Sequence, residues 1–436
     1  MKNFRLWSLV GVAAVAGGVL SGCGGSGGSS SNANVRVLNA SLTHASIDLL
    51  VNASVAASAT TTDNLSAYTS PSSGSVVVQI NDAGGATSLV SNTYTLSGDA
   101  HYTVVAYESG GALKSFTMSE DVTAPASGVA SLRIFDAAYE AGKLDIYVTT
   151  STCTTANLTA LAATTGFTPT STSVASVTLP AQGAGNYNVC VTAFGSKTDL
   201  RMSMPITLAS AQVANLVLTP ASGGQLLNGS FVVQQGSNTA ARNPNARVRL
   251  ASAVSGGTVV NAVTGTGAVI DSSKSPALGF YTLVPATSAL NITLGSGTSV
   301  VSPAAKLTAG ADFTVLVYGD PTSPTANLLT DDNRAPTDTT TTRVRLINGL
   351  NGGVGTLTLA ANNSPIGINV PLGSASTYAS VQGAAGTATT SVTFTLSSST
   401  GGTYNPPYPA NTLNTGATYS ILAGDNGANP PQLLIR

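Results

Sequence analysis

The feature that most constrains the fold of this chain is an internal repeat of about 100 residues, present four times. Each copy opens on an arginine between aliphatic residues, in the stretches NVRVLN, SLRIFD, RVRLAS and RVRLIN. The four arginines are Arg36, Arg133, Arg249 and Arg345. Because similarity at a fixed period is typical of a repeated structural unit, the sequence predicts a tandem array.

Two further landmarks recur in the same phase. A leucine is followed six residues later by Tyr102, Ala214, Phe313 or Tyr419, at the start of a strand-like stretch. Each copy then closes on a segment such as GGALKSFTMSED or TANLLTDDNRAP. These landmarks predict repeats at residues 34–123, 128–238, 244–336 and 341–436.

The hydrophobic pattern within a repeat has the period of a β-strand. Stretches such as YTVVAY (Tyr102 to Tyr107) alternate between two faces, and capped segments with a helical period are absent. Turn-forming stretches such as NDAGG recur at the spacing of short antiparallel strands. About seven strands per repeat predict an all-β chain of tandem immunoglobulin-like antiparallel β-sandwich domains. Small antiparallel β-barrels are the alternative.

The opening VRVLNASLTHASIDLLVN, the stretch beginning at Tyr68, the strand LTAGADFTVLVYG and the closing LLTDDNRAP together resemble the bacterial domain-of-unknown-function family 4397. The resemblance covers most of the chain after its first 33 residues and is clearest in copies one, three and four. It implies an exported β domain. It brings no catalytic or ligand residues to this sequence.

The amino terminus has the pattern of an export signal. Lys2 and Arg5 precede an apolar run of 15 residues, which is shorter than the roughly 20 residues of a transmembrane helix. The run ends in Leu-Ser-Gly-Cys, which resembles the lipobox of bacterial lipoproteins. The sequence therefore predicts a cleaved signal peptide at 1–22 and a lipidated Cys23 with a Gly/Ser tether at 23–33. An ordinary signal peptide followed by an incidental cysteine is the alternative.

Lipidation would anchor the exported chain to a membrane, since several acyl chains hold a protein firmly where one does not. Gly24 follows the cysteine where aspartate is the usual signal for retention in the inner membrane. We therefore expect the outer membrane, either its periplasmic face or the cell surface. With 17 basic and 18 acidic residues, the chain has no strong field that would attract nucleic acid.

Two cysteines remain after Cys23. Cys153 and Cys190 lie 37 residues apart, and an exported chain meets an oxidising compartment, so a disulfide is expected. Two buried free thiols are the alternative.

Side chains that could support catalysis are few. His44 and His101 occur only in copy one and are interpreted as surface or turn residues. Asp48 and Asp145 occupy matching places in copies one and two, without acidic counterparts in the others. The stretches TDDN and GDNG lack the spacing of a calcium loop and favour Asx turns. We therefore expect no catalytic residue, no metal site and no cofactor.

The recurring arginines and tyrosines have two interpretations each. The arginines are expected on the solvent face of the first strand, paired with a carboxylate, although a recurrent anion or glycan contact is the alternative. Tyr68, Tyr281 and Tyr378 are expected to pack in the core or at strand ends, although a platform for stacking sugars is the alternative.

These features favour a non-enzymatic, membrane-anchored lipoprotein that serves as a structural, adhesion or binding protein of the cell envelope. Its expected partners are the membrane, through the lipid, and an envelope glycan or another surface protein. A glycan-binding or glycan-processing accessory, with a site at a domain junction or in repeat 2, is the competing hypothesis. A subunit of an envelope assembly is a third, and it would show a large apolar patch.

Overall fold

The computed structural model describes residues 31–167, 169–170, 172–352, 354–384, 386–404, 408–424 and 431–436. The predicted signal peptide and Cys23 lie outside these residues. In the part of the chain that is described, no helix has the length and apolar character needed to span a membrane.

The first half of the described chain contains two sets of strands. Repeat 1 consists of β1 (Asn34–Asn39), β2 (Ser46–Val51), β3 (Ser54–Thr61), β4 (Gly74–Asp82), β5 (Ser88–Leu96), β6 (His101–Ser109) and β7 (Ala112–Ser119). Repeat 2 consists of β8 (Val129–Asp136), β9 (Leu144–Thr149), β10 (Thr164–Phe167), β11 (Ala175–Thr178), β12 (Gln182–Gly183), β13 (Gly185–Ala193), β14 (Leu200–Leu208), β15 (Val213–Pro220), β16 (Leu227–Val233) and β17 (Asn238–Ala241). A 3₁₀ turn (Tyr139–Ala141) and helix α1 (Thr155–Thr159) also belong to repeat 2.

The second half contains two more sets. Repeat 3 consists of β18 (Asn245–Val254), β19 (Val259–Thr264), β20 (Val269–Lys274), β21 (Ala277–Leu278), β22 (Thr282–Pro285), β23 (Leu290–Leu294), β24 (Ser299–Val300), β25 (Asp312–Asp320) and β26 (Ser323–Asp331), with a 3₁₀ turn at Ser255–Gly257. Repeat 4 consists of β27 (Thr341–Asn348), β28 (Leu357–Ala361), β29 (Ser364–Val370), β30 (Ala379–Gln382), β31 (Thr389–Val392), β32 (Phe394–Ser398), β33 (Gly402–Tyr404), β34 (Asn411–Asn414), β35 (Thr418–Gly424) and β36 (Gln432–Ile435).

Each repeat is a sandwich of two main sheets. In repeat 1 the sheets have the strand orders β1-β6-β7 and β3-β2-β4-β5. The other repeats contain the same two arrangements, with β8-β15-β16, β18-β25-β26 and β27-β35-β36 in the first sheet. All sheets within the described residues are open at their edges. The predicted all-β chain of tandem sandwiches is therefore confirmed.

Two details differ from the prediction. The first strand of every repeat pairs in parallel with a strand near the end of the repeat, as β1 pairs with β6, β8 with β15, β18 with β25 and β27 with β35. A strictly antiparallel prediction misses this pairing, because the connection between the two strands passes through the whole second sheet. The chain also contains α1, whose five residues are too few to show a helical period in the sequence.

Each sandwich has its own apolar core, and two further apolar clusters join the repeats in pairs. In repeat 1, Val35 and Val37 point into the core. The opposite face of the same sheet carries Leu38 and Val105, which pack against Val217 of repeat 2. Repeats 3 and 4 pack together in the same way, through Ala251, Leu316, Ile347 and Leu422. We call this opposite face, which also carries the first-strand arginine, the pairing face.

Cys153 and Cys190 form a disulfide, as predicted, with Cα atoms 5.5 Å apart. The bond ties the loop before α1 to β13. Together with Cys153, Cys190 belongs to a small cluster that also contains Leu158 and Tyr147. The disulfide therefore holds a segment that lies outside the main core of repeat 2.

Replacing both cysteines, as Cys153→Ala/Cys190→Ala, should lower the free energy of unfolding of repeat 2 by about 3 to 4 kcal/mol, because the bond closes a loop with a sequence separation of 37. Urea titrations followed by circular dichroism measure the change. Dithiothreitol is the control, since it should lower the midpoint of the wild type and leave the variant unchanged. Equal midpoints for oxidised wild type and variant would contradict a stabilising role.

Candidate functional site

Each first-strand arginine contacts a polar residue on the parallel neighbouring strand. The register sets four pairs: Arg36 with Thr103, Arg133 with Asn215, Arg249 with Thr314, and Arg345 with Ser420. In every pair the arginine Nε donates a hydrogen bond to the polar side chain, at 2.7 to 3.0 Å. The fold therefore builds the same contact four times.

Three of these arginines are buried, so the expectation that they face solvent was wrong. Arg36 is 4% exposed, and Arg249 and Arg345 are each 3% exposed. The alternation of the strand does turn them away from the core, but a neighbouring repeat covers the face that they occupy. The expected pairing with a carboxylate is confirmed for all three.

A buried ion pair of repeat 1 is hydrogen-bonded to repeat 2. Arg36 Nη2 donates to both carboxylate oxygens of Glu120, at 2.9 and 2.7 Å, and Glu120 is fully buried. Arg36 Nη1 donates to the carbonyl oxygen of Gly236 in repeat 2. The backbone amide of Gln235 donates to Glu120 Oε2 in return. The pair therefore fixes the position of one repeat against the other.

A shared carboxylate joins repeats 3 and 4. Asp331, the last residue of β26, is fully buried, and its Oδ1 accepts a hydrogen bond from Arg345 of repeat 4. Its Oδ2 accepts from Tyr281 Oη at 2.5 Å and from Thr314 Oγ1 at 2.6 Å. Arg249 Nε lies farther away, 3.8 Å from the same Oδ2. One carboxylate thus serves arginines from two repeats.

The three recurring tyrosines stack on these arginines. The Tyr68 ring centre lies 4.7 Å from the guanidinium carbon of Arg36, and the corresponding distances are 4.6 Å for Tyr281 with Arg249 and 4.8 Å for Tyr378 with Arg345. Burial raises the pKa of all three phenols. The packing interpretation is therefore confirmed for these rings.

The cluster between repeats 3 and 4 contains more arginines than carboxylates. Arg247 pairs with Asp312 at 2.5 Å, and Asp332 accepts from Arg334 and Arg343. With Arg249 and Arg345 on Asp331, five arginines share three carboxylates. Although burial opposes the change, the hydrogen bonds from its two arginines lower the pKa of Asp332 to about 2. The cluster therefore keeps an excess of positive charge.

A cavity of about 430 Å³, here called the junction cavity, lies beside this cluster where repeats 2, 3 and 4 meet. Its wall includes Glu140, Arg249, Phe280, Tyr281 and Arg436. Arg249 Nη2 and Glu140 Oε2 are both buried, and neither has a hydrogen-bond partner among the described residues. Phe280 is 71% exposed, with the Arg436 guanidinium carbon 3.9 Å from its ring centre. Sequence analysis allowed a site at a domain junction and singled out Arg249 and Tyr281. It missed Glu140, Phe280 and Arg436, because these residues come from three different repeats.

The two histidines lie apart from this cavity. His44, in the loop after β1, has its Nδ1 2.7 Å from Asp82, and His101, the first residue of β6, has its Nδ1 3.0 Å from Asp121. Both side chains are partly exposed. Their positions fit the predicted surface or turn role.

Asp48 and Asp145 hold loops in place. Asp48 accepts hydrogen bonds from the amides of Ala59 and Gly84, at 2.7 and 2.8 Å. Asp145 accepts from the amide of Gly195 at 2.9 Å. Over the described ranges, no group of three or more His, Cys, Asp or Glu side chains could hold a metal ion.

The predicted Asx turn in TDDN is confirmed for one of its two aspartates. Asp332 accepts from the amide of Arg334 at 3.3 Å, as in such a turn. Asp331 instead belongs to the interface between repeats, so that part of the prediction was wrong. Most of GDNG, from residue 425 onward, lies outside the described residues.

Comparison with known protein families agrees with the resemblance found in the sequence. Residues 33–147 match the model of DUF4397, a domain of unknown function. The match covers repeat 1 and continues through β8 into β9. It does not reach repeats 3 and 4, for which the resemblance to DUF4397 stays a prediction.

Comparison with individual proteins adds little. No curated protein matches the chain. One solved structure, of a Bacteroides uniformis protein described as a candidate cell adhesion protein, shares 11% identity with a TM-score of 0.19, covering 48% of this chain and 99% of that one. A likeness at this TM-score supports no conclusion about function.

Replacing the shared carboxylate should weaken the pair of repeats 3 and 4. Asp331→Asn removes the charge that faces Arg345 and Arg249, and breaking a buried ion pair typically costs 3–5 kcal/mol, so we expect a loss of about that size in urea unfolding. Asp99→Asn is the control, since Asp99 is exposed in a turn with a positive φ that asparagine tolerates. A loss no larger than that of the control would contradict the role assigned to Asp331.

The stability of repeat 2 should depend on the protonation of Asp136. Burial raises the pKa of this carboxyl to about 7, its hydrogen bond from the Ala138 amide opposes the rise, and the Glu140 carboxylate adds to it. The folded state therefore binds a proton more tightly than the unfolded state. The stability that this gives is complete below about pH 4 and is lost as the pH rises through 7.

Asp136→Asn tests this dependence, because the amide oxygen can still accept from Ala138. Relative to the variant, wild type should lose about 1 kcal/mol of unfolding free energy per pH unit between pH 5 and 7. Urea titrations at pH 5, 6, 7 and 8 measure the difference. Parallel stability profiles would show that Asp136 titrates normally in the folded protein.

Proposed function

We propose that the chain is an exported lipoprotein, anchored in the outer membrane through Cys23, that serves as a non-catalytic structural, adhesion or binding protein of the cell envelope. The observation that carries the proposal is the use of the repeated polar groups. The Arg36–Glu120 pair of repeat 1 forms hydrogen bonds with the backbone of repeat 2, and Arg345 of repeat 4 pairs with Asp331 of repeat 3. The groups that recur along the sequence thus build a scaffold of paired repeats.

Two further observations support export and anchoring. The Cys153–Cys190 disulfide is of a kind that forms and persists in oxidising compartments. The lipobox at Cys23 precedes a Gly/Ser tether, which would leave the first sandwich free to stand away from the lipid headgroups.

A second candidate function rests on the junction cavity. A glycan-binding or glycan-processing accessory needs a pocket with polar and aromatic side chains in its wall, and the junction cavity is lined by Arg249, Phe280 and Tyr281 between repeats. Binding without catalysis is the form of this hypothesis that agrees with the proposed role.

Cys23→Ala should release the protein from membranes and abolish labelling by radioactive palmitate, because the acyl chains attach through this residue. Cell fractionation and autoradiography measure both effects. The matched control is Cys153→Ala/Cys190→Ala, which keeps Cys23 and should stay labelled and membrane-bound. Continued labelling and membrane association of Cys23→Ala would contradict the anchor.

An array of glycans and extracellular-matrix proteins, combined with protease treatment of intact cells, tests the adhesion form of the proposal. We expect cleavage by external protease and binding to at least one array component. Full protection together with uniformly negative arrays would contradict adhesion at the cell surface.

A further inference from the structure

We propose that Asp136 is a pH-sensitive contact that controls how repeats 1 and 2 dock on repeat 3. While its carboxyl is protonated, the 3₁₀ turn at Tyr139–Ala141, here called the junction turn, holds the three repeats together. When the carboxyl ionises, the turn moves and the contacts between these repeats loosen. This role goes beyond the proposed function and does not depend on it. Three features support it: the place of Asp136 in the repeat pattern, the charge around it and the contacts of the junction turn.

Asp136 lies at a position that asparagine occupies in two other repeats. It is the third residue after the first-strand arginine, as are Asn39 in repeat 1 and Asn348 in repeat 4, whereas repeat 3 has Ser252 there. The aspartate and both asparagines are fully buried. Each accepts a hydrogen bond from the backbone amide two residues later, at 2.9 to 3.2 Å. The same turn contact therefore recurs where the first strand ends.

The second polar atom of the side chain differs between these residues. Asn39 Nδ2 donates to two backbone carbonyl oxygens and Asn348 Nδ2 donates to one, at 2.9 to 3.0 Å. Asp136 Oδ2, which replaces this nitrogen, is buried and has no hydrogen-bond partner among the described residues. An ionised carboxylate has no hydrogen to donate, whereas a protonated carboxyl has one, as the amide does. The position therefore suits the protonated form of Asp136.

The surroundings of Asp136 also oppose a negative charge. The flanking strands β11 and β15 contain no charged residue. The junction turn contains Tyr139 and Glu140, and the Glu140 carboxylate interacts unfavourably with an ionised Asp136. Across the interface, Tyr107 of repeat 1 and Arg334 of repeat 3 interact with Glu140. Burial, the largest cause, and Glu140 together raise the pKa of Asp136 to about 7.

The junction turn contacts three repeats through two consecutive residues. Tyr139 Oη donates to the carbonyl oxygen of Pro336 in repeat 3, at 2.9 Å. Glu140 Oε1 accepts from the backbone amide of Gly110 in repeat 1. The carbonyl oxygen of Glu140 accepts from Gln225 Nε2 at 2.8 Å, and the same nitrogen donates to a carbonyl oxygen of repeat 3 at 2.9 Å. Movement of this turn would therefore break contacts with repeats 1 and 3 at once.

Asp136 is connected directly to this turn. Its Oδ1 accepts from the amide of Ala138, the residue before Tyr139. Because Asp136 is the last residue of β8, the chain that follows can move without breaking the sheet. An ionised carboxylate is costly in a buried site and gains hydration when the turn moves away.

The direction of the pH dependence follows from the two protonation states. The docked state binds the proton of Asp136 more tightly than the loosened state, in which the carboxyl regains its ordinary pKa. Docking is therefore most favourable below about pH 4 and weakens as the pH rises to 7, by up to about tenfold per pH unit. Above pH 7 the effect levels off.

Hydrogen exchange measured by mass spectrometry at pH 5, 6, 7 and 8 tests this contact, on the full mature protein solubilised in detergent. Each rate is divided by the intrinsic rate at the same pH. The reporters are the amides of Gly110, which donates to Glu140, and of Asn333, which donates to the carbonyl oxygen of Gly223. Their opening constants should rise about a hundredfold between pH 5 and 7. At pH 7 they should exceed those of amides in β13 by at least about tenfold, because the sandwich of repeat 2 stays folded.

Asp136→Asn restores the residue found in repeats 1 and 4, and it keeps the acceptor for Ala138. Its reporter opening constants should be independent of pH and equal to those of wild type at pH 5. The matched control is Asp99→Asn, which removes an exposed carboxylate from a turn of repeat 1 and should keep the wild-type profile. Circular dichroism establishes that each variant is folded.

Reporter opening constants that do not change with pH in wild type, or that change equally in folded Asp136→Asn, would overturn the proposal. Reporter amides that open with the same free energy as β13 at every pH would also overturn it, because Asp136 would then titrate only when repeat 2 unfolds. This last comparison is made within wild type, so it decides the question even if Asp136→Asn fails to fold.

Discussion

The architecture depends on burying a charged arginine on the second face of an otherwise apolar strand. A guanidinium removed from water must be paired. Arg36 and Arg345 each have a carboxylate partner and a stacked tyrosine, and each donates to a carbonyl oxygen of the neighbouring repeat. The partners of each arginine come partly from the neighbouring repeat. The buried arginines therefore obtain all their hydrogen-bond partners only when the repeats are paired.

Much of this fold could be predicted from the sequence, because repeats, strand periodicity and cysteine spacing are local patterns. The burial of the pairing face could not be predicted. Alternation along the strand shows that Arg36 and Val37 point in opposite directions, but it does not show which part of the protein covers each side chain. The central strands did contain a sequence pattern that indicates burial of both faces of the sheet. Val104 faces the core and Val105 the neighbouring repeat, and both are fully buried. Consecutive apolar residues of this kind indicate a strand covered on both faces.

A site at a domain junction was the competing hypothesis from the sequence, but its residues could not be predicted, for a different reason. Glu140, Arg249 and Phe280 belong to separate repeats or loops, and only packing brings them to one cavity. The arginine–carboxylate contacts beside this cavity do not repeat those between repeats 1 and 2. Glu120 pairs with one first-strand arginine, whereas Asp331 pairs with two. Of these two, Arg249 makes the longer contact, and its Nη2 has no hydrogen-bond partner among the described residues. The repetition of the arginine contacts is therefore incomplete beside this cavity.

The central claim is that the repeats are held in pairs by their buried pairing faces, and native-state hydrogen exchange tests it most directly. With increasing denaturant, amides of β25 in repeat 3 and β35 in repeat 4 should converge on one opening free energy, because neither strand can be exposed without breaking the shared interface. Separate opening free energies for the two repeats, with that of repeat 4 unchanged by Asp331→Asn in repeat 3, would contradict the account.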